Sequence, residues 1–173
     1  HPVMAEQDDA AEQMKATVTA CFDSGLRVIW IYPNSDQGYR AILDVIAEKS
    51  KDEGVVALQN VDRDDYLKLL ANAAVLVGNS SSGILEAPSF CVPVVNIGTR
   101  QRGRPQAANI LNCSNGQSDI AETIDQALND SEFHERCAGA LNPYGDGKSA
   151  DRICEILRDI PLDRKLLDKE STY

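Results

Sequence analysis

The sequence is poor in the residues on which several common functions depend. It has only two histidines, and its five cysteines include no C-x-x-C pair, so neither a zinc site nor a disulfide framework is indicated. The 17 Lys and Arg residues are outnumbered by 27 Asp and Glu residues, and the net charge of −10 argues against a nucleic-acid-binding protein. No apolar run approaches the roughly 20 residues that span a bilayer. We therefore expect a cytoplasmic protein with reduced cysteines packed in its interior, no metal, no nucleic-acid partner and no membrane contact.

Two phosphate-binding signatures are also missing. No G-x-G-x-x-G follows a predicted strand, which argues against NAD binding. No G-x-x-x-x-G-K-[ST] is present, which argues against ATP hydrolysis of the P-loop type. The first ten residues are acidic and unlike a secretory signal peptide. The sequence therefore predicts no cofactor of these two classes.

Alternation of apolar strands with helices is the main positive signal. Apolar residues recur at helical spacing over 8–22, and a continuous apolar run over 26–33 predicts a strand that is buried on both faces. Further strands are predicted over 54–59, 74–79, 92–98 and 108–113, and further helices over 62–73, 80–90, 117–129, 131–141 and 149–160. Strands that alternate with helices form βαβ units, so we predict an α/β fold with a parallel sheet of about five strands and helices on both faces.

Polar residues follow two of these strands, at the edge where open α/β sheets bind their ligands. The stretch Gly78–Ser82 leaves one strand and opens a helix, whose first amides, together with the serine hydroxyls, can cradle a phosphate. Glycines at 78 and 83 would let the backbone approach that phosphate closely. The next strand runs into a loop with three arginines, which can bind phosphate through paired hydrogen bonds: Arg100, Arg102 and Arg104. The two stretches predict one anion site, and a capped helix beside a solvated loop is the alternative.

Glu86 adds a second element to this anion site. It lies two helical turns beyond Asn79, within a mostly apolar stretch. A carboxylate at that place can hold ribose hydroxyls, as acidic residues do in other nucleotide-binding folds, although a surface glutamate would fit the same pattern. Together these residues predict a domain that binds a diphosphate, in particular a nucleotide, without a catalytic metal.

Five stretches of the chain occur together: HPV at the N-terminus, YPNSDQG, GNSSSGILEAPSF, PVVNIGTRQRGR and NPYGDGKSADRI. In this combination they resemble the C-terminal half of the hydrolysing UDP-N-acetylglucosamine 2-epimerases of sialic acid and related nonulosonate biosynthesis. The resemblance implies that residues 1–160 form the UDP-binding, Rossmann-like, three-layer C-terminal domain of a two-domain GT-B fold. Residues 161–173 are predicted to form a polar C-terminal tail.

The resemblance also implies an activity and a set of site residues. It implies conversion of UDP-N-acetylglucosamine to N-acetylmannosamine and UDP, by elimination of UDP and hydration of the resulting glycal, with no cofactor and no metal. A diacetamido-trideoxy sugar is the alternative substrate. His1 is implied as the catalytic histidine of the cleft. The implied UDP-binding residues are Asn34, Ser80 and Ser81 at the phosphates, Val61 and Tyr66 at the uracil, Glu86 at the ribose and Arg100 beside the nucleotide.

The family's acid and base carboxylates are implied to lie in an N-terminal half that this chain does not resemble. Asp36 and Asp146 are loop carboxylates, but an acid/base pair needs burial or a charged neighbour to shift its pKa. We therefore expect the chain alone to be inactive, with the missing N-terminal domain as partner and a homodimer as a candidate assembly. Two other functions fit the same residues: the nucleotide-sugar domain of a GT-B glycosyltransferase, and a non-catalytic domain whose arginine loop binds a protein.

Overall fold

The computed structural model describes residues 1–52, 54–164 and 168, and the chain divides into two compact units, His1–Pro143 and Tyr144–Tyr173. The elements found in the described residues are, in chain order, α1 (Ala10–Asp23), β1 (Val28–Ile31), α2 (Tyr39–Lys49), β2 (Val55–Leu58), α3 (Arg63–Ala71), β3 (Leu76–Gly78), α4 (Ser82–Leu85), β4 (Val94–Ile97), β5 (Ile110–Cys113), α5 (Gln117–Asn129), α6 (Ser131–Ala138) and α7 (Ser149–Asp159). Two 3₁₀ helices cover Met4–Asp9 and Ala87–Phe90. None of the helices in the described ranges is long and apolar enough to cross a bilayer.

Every strand pair is parallel, which confirms the prediction from the alternating pattern. β1 pairs with β2, and β3, β4 and β5 pair in that order, with Val95 of β4 opposite Val77 and Leu111. Within the described residues β1 and β3 are not hydrogen-bonded to each other, so the five strands form a two-stranded and a three-stranded sheet. Residues of both strands, among them Ile31 and Val77, line one cleft.

Side chains of β4 alternate between two apolar cores. Val95 belongs to the larger core, together with Ile120 and Ile124 of α5, whereas Val94 belongs to a smaller core with Leu70 of α3. Because successive residues of a strand point to opposite faces, the three-stranded sheet carries helices on both faces, as predicted. All four residues of β4 are buried, which explains the continuous apolar run in the sequence.

β1 differs from the prediction that it is buried on both faces. Trp30 is 9% exposed and packs in the larger core with Ile42 and Val45 of α2. Ile29 and Ile31, whose side chains alternate with that of Trp30, are 42% and 39% exposed. The prediction was wrong because an apolar run does not reveal how many layers cover a strand.

The sequence predicted that the cysteines pack in the interior, and this prediction is wrong for Cys154. Cys21 and Cys137 are buried, and burial raises the pKa of the Cys21 thiol to about 12. Cys154 on α7 is exposed, although it lies in an apolar stretch of sequence. None of the α7 residues is buried, and the apolar residues Ile153, Ile156 and Leu157 are exposed like Cys154.

The second unit contains α7 and the turn before it. Asp146 in this turn accepts two hydrogen bonds from Arg152, at 2.9 and 2.7 Å, and one from the N–H of Lys148 at 3.1 Å. These bonds close the glycine-rich turn onto the first turns of the helix. Most of the predicted tail, 161–173, lies outside the described residues, so its boundary stays a prediction.

Candidate functional site

A cleft of about 1460 Å³ reaches the ends of β1, β2 and β3 in the first unit, where Pro33, Asn60 and Asn79 line it. Apolar residues of β1 and β3 line the cleft farther from these strand ends. Most of the predicted site residues also line it: His1, Val61, Tyr66, Ser80, Ser81 and Glu86. The remaining two, Asn34 and Arg100, contact residues of the lining.

Asn79, the first residue after β3, holds the backbone of His1. Its Oδ1 accepts a hydrogen bond from the main-chain nitrogen of His1 at 2.8 Å, and its Nδ2 donates to the main-chain oxygen of His1 at 2.8 Å. The reciprocal pair fixes the N-terminal segment at the strand end. No role was predicted for Asn79, although its place between a strand and three serines is the signal that would have found it.

The imidazole of His1 is held in turn by Asn34, in the loop after β1. The main-chain N–H of Asn34 donates to Nδ1 of His1 at 3.0 Å, and Oδ1 of Asn34 lies 2.9 Å from the same nitrogen. Nδ2 of Asn34 donates to Asp36 at 2.5 Å. Both contacts to the ring use Nδ1, so Nε2 is the ring nitrogen that is left for a ligand.

The loop after β4 reaches the same strand end through the main-chain oxygen of Asn79. Arg100 Nη1 donates to this oxygen at 3.0 Å, and Gln101 Nε2 donates to it at 2.9 Å. Gln101 is 1% exposed, and its Oε1 accepts from Arg104 at 2.9 Å. Of the three arginines predicted to share one anion site, Arg100 therefore reaches the strand end and Arg104 supports Gln101, whereas Arg102 is exposed.

Glu6 fastens the N-terminal segment to the loops that follow β4 and β5. Its Oε1 accepts from the hydroxyl of Thr99 at 2.7 Å, and its Oε2 accepts from Gln13 at 2.8 Å and Asn115 at 3.4 Å. These hydrogen bonds, that from Thr99 above all, lower the pKa of the Glu6 carboxyl. Glu6 thus supports His1 indirectly, by holding the segment that carries it.

The helix predicted over 80–90 is shorter than expected. α4 covers only Ser82–Leu85, and a 3₁₀ helix follows, because Pro88 has no N–H with which to continue an α-helix. Glu86 therefore lies at the junction of two short helices and not two turns into one. Ser80 Oγ accepts from the N–H of Ser82 at 3.3 Å, so this predicted phosphate ligand also closes the turn before α4.

The two glycines of this stretch have different roles. Gly78 has φ +139°, in the region that side chains rarely adopt. A Cβ on Gly83 would lie 2.9 Å from Val94 Cγ1, so Gly83 allows α4 to pack on β4. For Gly83, helix packing explains the glycine without the close approach to a ligand that the sequence predicted.

Glu86 has a partner that the sequence did not reveal. Arg63 Nη1, at the start of α3, donates to Glu86 Oε1 at 2.9 Å. The Glu86 side chain is 23% exposed and that of Arg63 is 72% exposed. A positive charge in the first turn of a helix opposes the helix dipole, and this mismatch is the signal that would have drawn attention to Arg63.

The two residues predicted at the uracil, Val61 and Tyr66, both line the cleft. The N–H of Val61 donates to the side chain of Asn60 at 3.1 Å. The hydroxyl of Tyr66 hydrogen-bonds to the hydroxyl of Ser82 on α4, and burial raises the pKa of this phenol. The N–H of Val61 and the hydroxyl of Tyr66 are thus engaged by neighbours, whereas the apolar side chain of Val61 and the ring of Tyr66 are open to contact with a base.

Neither loop carboxylate is placed as a buried acid or base. Asp36 is exposed and accepts from Asn34. Asp146 is also exposed, and its hydrogen bonds with Arg152 lower the pKa of its carboxyl. In the part of the chain that the structure describes, no group of His, Cys, Asp and Glu side chains is close enough to hold a metal ion.

The matching family model and two curated relatives agree on one family. The family model described as UDP-N-acetylglucosamine 2-epimerase matches residues 1–158. A UDP-N,N'-diacetylbacillosamine 2-epimerase (hydrolyzing) of Legionella pneumophila is 35% identical over 173 residues, which are 100% of this chain and 45% of that protein. A UDP-N-acetylglucosamine 2-epimerase of Neisseria meningitidis is 31% identical over 92% of this chain and 41% of that protein. The chain thus spans less than half the length of these curated relatives, and these shares leave its assignment to their C-terminal half a prediction.

Solved structures share the fold. The UDP-GlcNAc 2-epimerase of Methanocaldococcus jannaschii in complex with UDP-GlcNAc and UDP matches with a TM-score of 0.68 and 21% identity, over 90% of this chain and 43% of that one. The UDP-GlcNAc 2-epimerase of Neisseria meningitidis bound to UDP-GlcNAc matches with a TM-score of 0.71 and 19% identity, over 88% of this chain and 42% of that one. The Rossmann-like arrangement predicted for this domain of a GT-B fold is therefore confirmed.

Proposed function

Because the chain belongs to the UDP-N-acetylglucosamine 2-epimerase family, we propose that its cleft binds the UDP part of a UDP-sugar. We propose further that it is the UDP-binding portion of a hydrolysing epimerase, which eliminates UDP and hydrates the glycal to release N-acetylmannosamine. The observation that carries the proposal is that His1 and Arg100 both hydrogen-bond to Asn79 at the end of β3, while Asn34 holds the imidazole of His1. Three separate segments supply cationic or hydrogen-bonding groups to the strand end where α/β sheets bind ligands.

Each predicted residue has a place in this binding mode. Ser80 and Ser81 offer hydroxyls to the phosphates beside the guanidinium of Arg100 and Nε2 of His1. Guanidinium and imidazole donors lower the energy of a diphosphate that gains charge as it leaves the sugar, which is the demand of an elimination. We assign the ribose to Glu86. Since its hydroxyl is bonded to Ser82, Tyr66 would contact the uracil through its ring, and Val61 would contact it through its side chain.

The chemistry on the sugar needs groups beyond this chain. Proton abstraction and return at the sugar require an acid and a base near the reacting carbon. Asp36 and Asp146 are exposed and hydrogen-bonded elsewhere, so we propose that the rest of a longer protein supplies these groups. The chain alone is then expected to bind UDP without turnover, and an assembly with a second copy would not supply the missing acid and base.

The binding proposal is tested by calorimetric titration of UDP into the chain and two arginine variants. Arg100→Ala removes a guanidinium from the strand end, and we expect it to weaken binding at least about tenfold. Arg102→Ala removes the same charge from the same loop at an exposed position, and we expect a change within about twofold. If both variants weaken UDP binding equally, Arg100 acts only through the net charge of the loop and not through its position at the strand end. Absence of saturable heat with the unmodified chain would contradict the proposal and favour a non-catalytic protein-binding domain.

The reaction is tested on the full-length protein. Release of free N-acetylmannosamine from UDP-N-acetylglucosamine with no acceptor present would support the hydrolysing epimerase. A requirement for an acceptor would support a glycosyltransferase instead. The similarity to the Legionella pneumophila enzyme favours UDP-N,N'-diacetylbacillosamine as a second candidate substrate, and parallel assays with both UDP-sugars would distinguish the two.

A further inference from the structure

Arg63 and Glu86 form an ion pair in the lining of the cleft. Arg63 begins α3, Glu86 lies between α4 and the 3₁₀ helix that follows, and both residues line the cleft. Their contact is a single hydrogen bond of 2.9 Å to Oε1 of the carboxylate. On the basis of the UDP site proposed above, we propose that Arg63 is a positioning residue that orients Glu86 toward the ribose hydroxyls of UDP.

The position of Arg63 in the sequence is unfavourable for a purely helical role. The first turn of a helix favours negative charge, and a cation there is opposed by the helix dipole. The neighbouring acids serve the helix itself: Asp62 caps α3 by accepting from the N–H of Asp64 at 3.0 Å, and Asp65 pairs with Lys68. Arg63 instead pairs with Glu86, which is 23 residues away in sequence. Its position is therefore explained by the ion pair with Glu86.

A role in overall stability explains the pair poorly. The Arg63 side chain is 72% exposed. Ion pairs with an exposed partner contribute little to folding because water screens them and the side chains lose freedom. The same exposure places the pair where a ligand in the cleft can contact it.

The geometry allows the Glu86 carboxylate to accept hydrogen bonds from a guanidinium and from ribose hydroxyls at the same time. The guanidinium occupies Oε1, which leaves Oε2 to accept from ribose hydroxyls. An unpaired glutamate would sample several rotamers and would have to lose that freedom when the ligand binds. It would also place an uncompensated negative charge beside a diphosphate. Arg63 removes both costs without contacting the ribose itself.

The test compares UDP with its 2′,3′-dideoxy analogue, which lacks both ribose hydroxyls, by calorimetric titration of the chain. The unmodified chain is expected to prefer UDP by about tenfold. Arg63→Met keeps an unbranched apolar stem and removes the charge and the hydrogen-bond donors of the guanidinium. This variant is expected to weaken the binding of UDP several-fold and to change the affinity for the dideoxy analogue by no more than about twofold. The preference for UDP would then be largely lost. Glu86→Gln should lose the same preference, and the double variant should lose no more than either single one.

Two controls separate positioning from charge and from folding. Lys49→Met removes an exposed cation paired with Asp52 on another part of the chain and should keep the full preference. Arg63→Lys retains the charge and should restore part of the preference, since one donor can still reach Oε1.

The outcomes distinguish this proposal from the one on which it rests. If the unmodified chain binds neither nucleotide, the UDP site itself is wrong, and the assignment of Arg63 is overturned with it. If the unmodified chain binds UDP but Arg63→Met weakens both nucleotides equally, or neither, the UDP site stands and the positioning role of Arg63 is overturned. Loss of the preference in Arg63→Met, with the analogue unaffected, supports the proposal.

Discussion

The two sheets of the first unit provide different surroundings for the site residues at their ends. β4, the middle strand of the three-stranded sheet, is buried along its whole length, and the polar residue Gln101 just beyond it is also buried. β1, in the two-stranded sheet, has two exposed isoleucines, and Asn34 beyond it is also exposed. The loop that carries Arg100 and Gln101 thus extends from packed structure, whereas Asn34, which holds the imidazole of His1, follows a strand of the more exposed sheet. Rigid placement matters most where a fixed cation meets a phosphate.

The comparison is tested most strongly by removing the same atoms from each layer. Ile120→Ala truncates a side chain with 0% exposure against the three-stranded sheet, and we expect a loss of about 2–5 kcal/mol in the free energy of unfolding. Ile31→Ala truncates a side chain that is 39% exposed on β1, and the expected loss is at most about 1.5 kcal/mol. Urea unfolding of both variants gives these values. Equal losses would show that the open face of β1 is covered in solution.

A smaller effect is expected from the close packing of α4 on β4. Gly83→Ala places a methyl group 2.9 Å from Val94 Cγ1, and the displacement needed should cost about 1–3 kcal/mol. The matched control is Gly139→Ala, at the end of α6, where the nearest atoms would be 3.9 Å away and the cost should stay within about 0.5 kcal/mol. Thermal unfolding ranks the two. If Gly83→Ala lowers stability no more than Gly139→Ala does, the packing of α4 on β4 is less rigid than the burial of β4 implies.

The smallest effect concerns pH and the segment that carries His1. The folded-state pKa of Glu6 lies below its ordinary value of 4.5, so its contribution to stability is complete above that value and is lost as the pH falls through the lowered folded pKa. Glu6→Gln should therefore lower the melting temperature near pH 7, and its difference from the unmodified chain should shrink below about pH 4. Glu12→Gln, on the exposed side of α1, is the control. A constant difference across this range would mean that the ionised carboxylate is not what fastens the segment.

Much of the fold follows from patterns that the sequence displays directly. The apolar runs at β1, β2 and β4 and the helical spacing in α1, α5 and α7 give the element order, and that order gives a parallel sheet. The split between β1 and β3 could not be predicted, because periodicity identifies strands and carries no information about which strands pair. The short α4 was foreseeable from Pro88, which interrupts an otherwise helical pattern.

The site was predicted less completely than the fold. The residues found by resemblance do lie around one cleft, but the sequence does not show which partners hold them. Gln101 is the example: its partner is a main-chain oxygen 22 residues earlier, and main-chain partners leave no trace in the sequence. Arg63 and Glu6 are similar, since each acts through a side chain far away along the chain. Hydrogen bonds across a fold require the fold before they can be recognised.

The double hydrogen bond to the main-chain oxygen of Asn79 gives the site a form of redundancy. Arg100 and Gln101 are adjacent and donate to one acceptor, but only Gln101 is buried. If UDP binds as proposed and its phosphate draws Arg100 away, Gln101 would still anchor the loop, and the loop would keep its conformation when the nucleotide leaves. The rate of nucleotide exchange would then depend on the contacts of the nucleotide itself. Of the two hydrogen bonds to Asn79, that from Arg100 would break and form again, and that from Gln101 would persist.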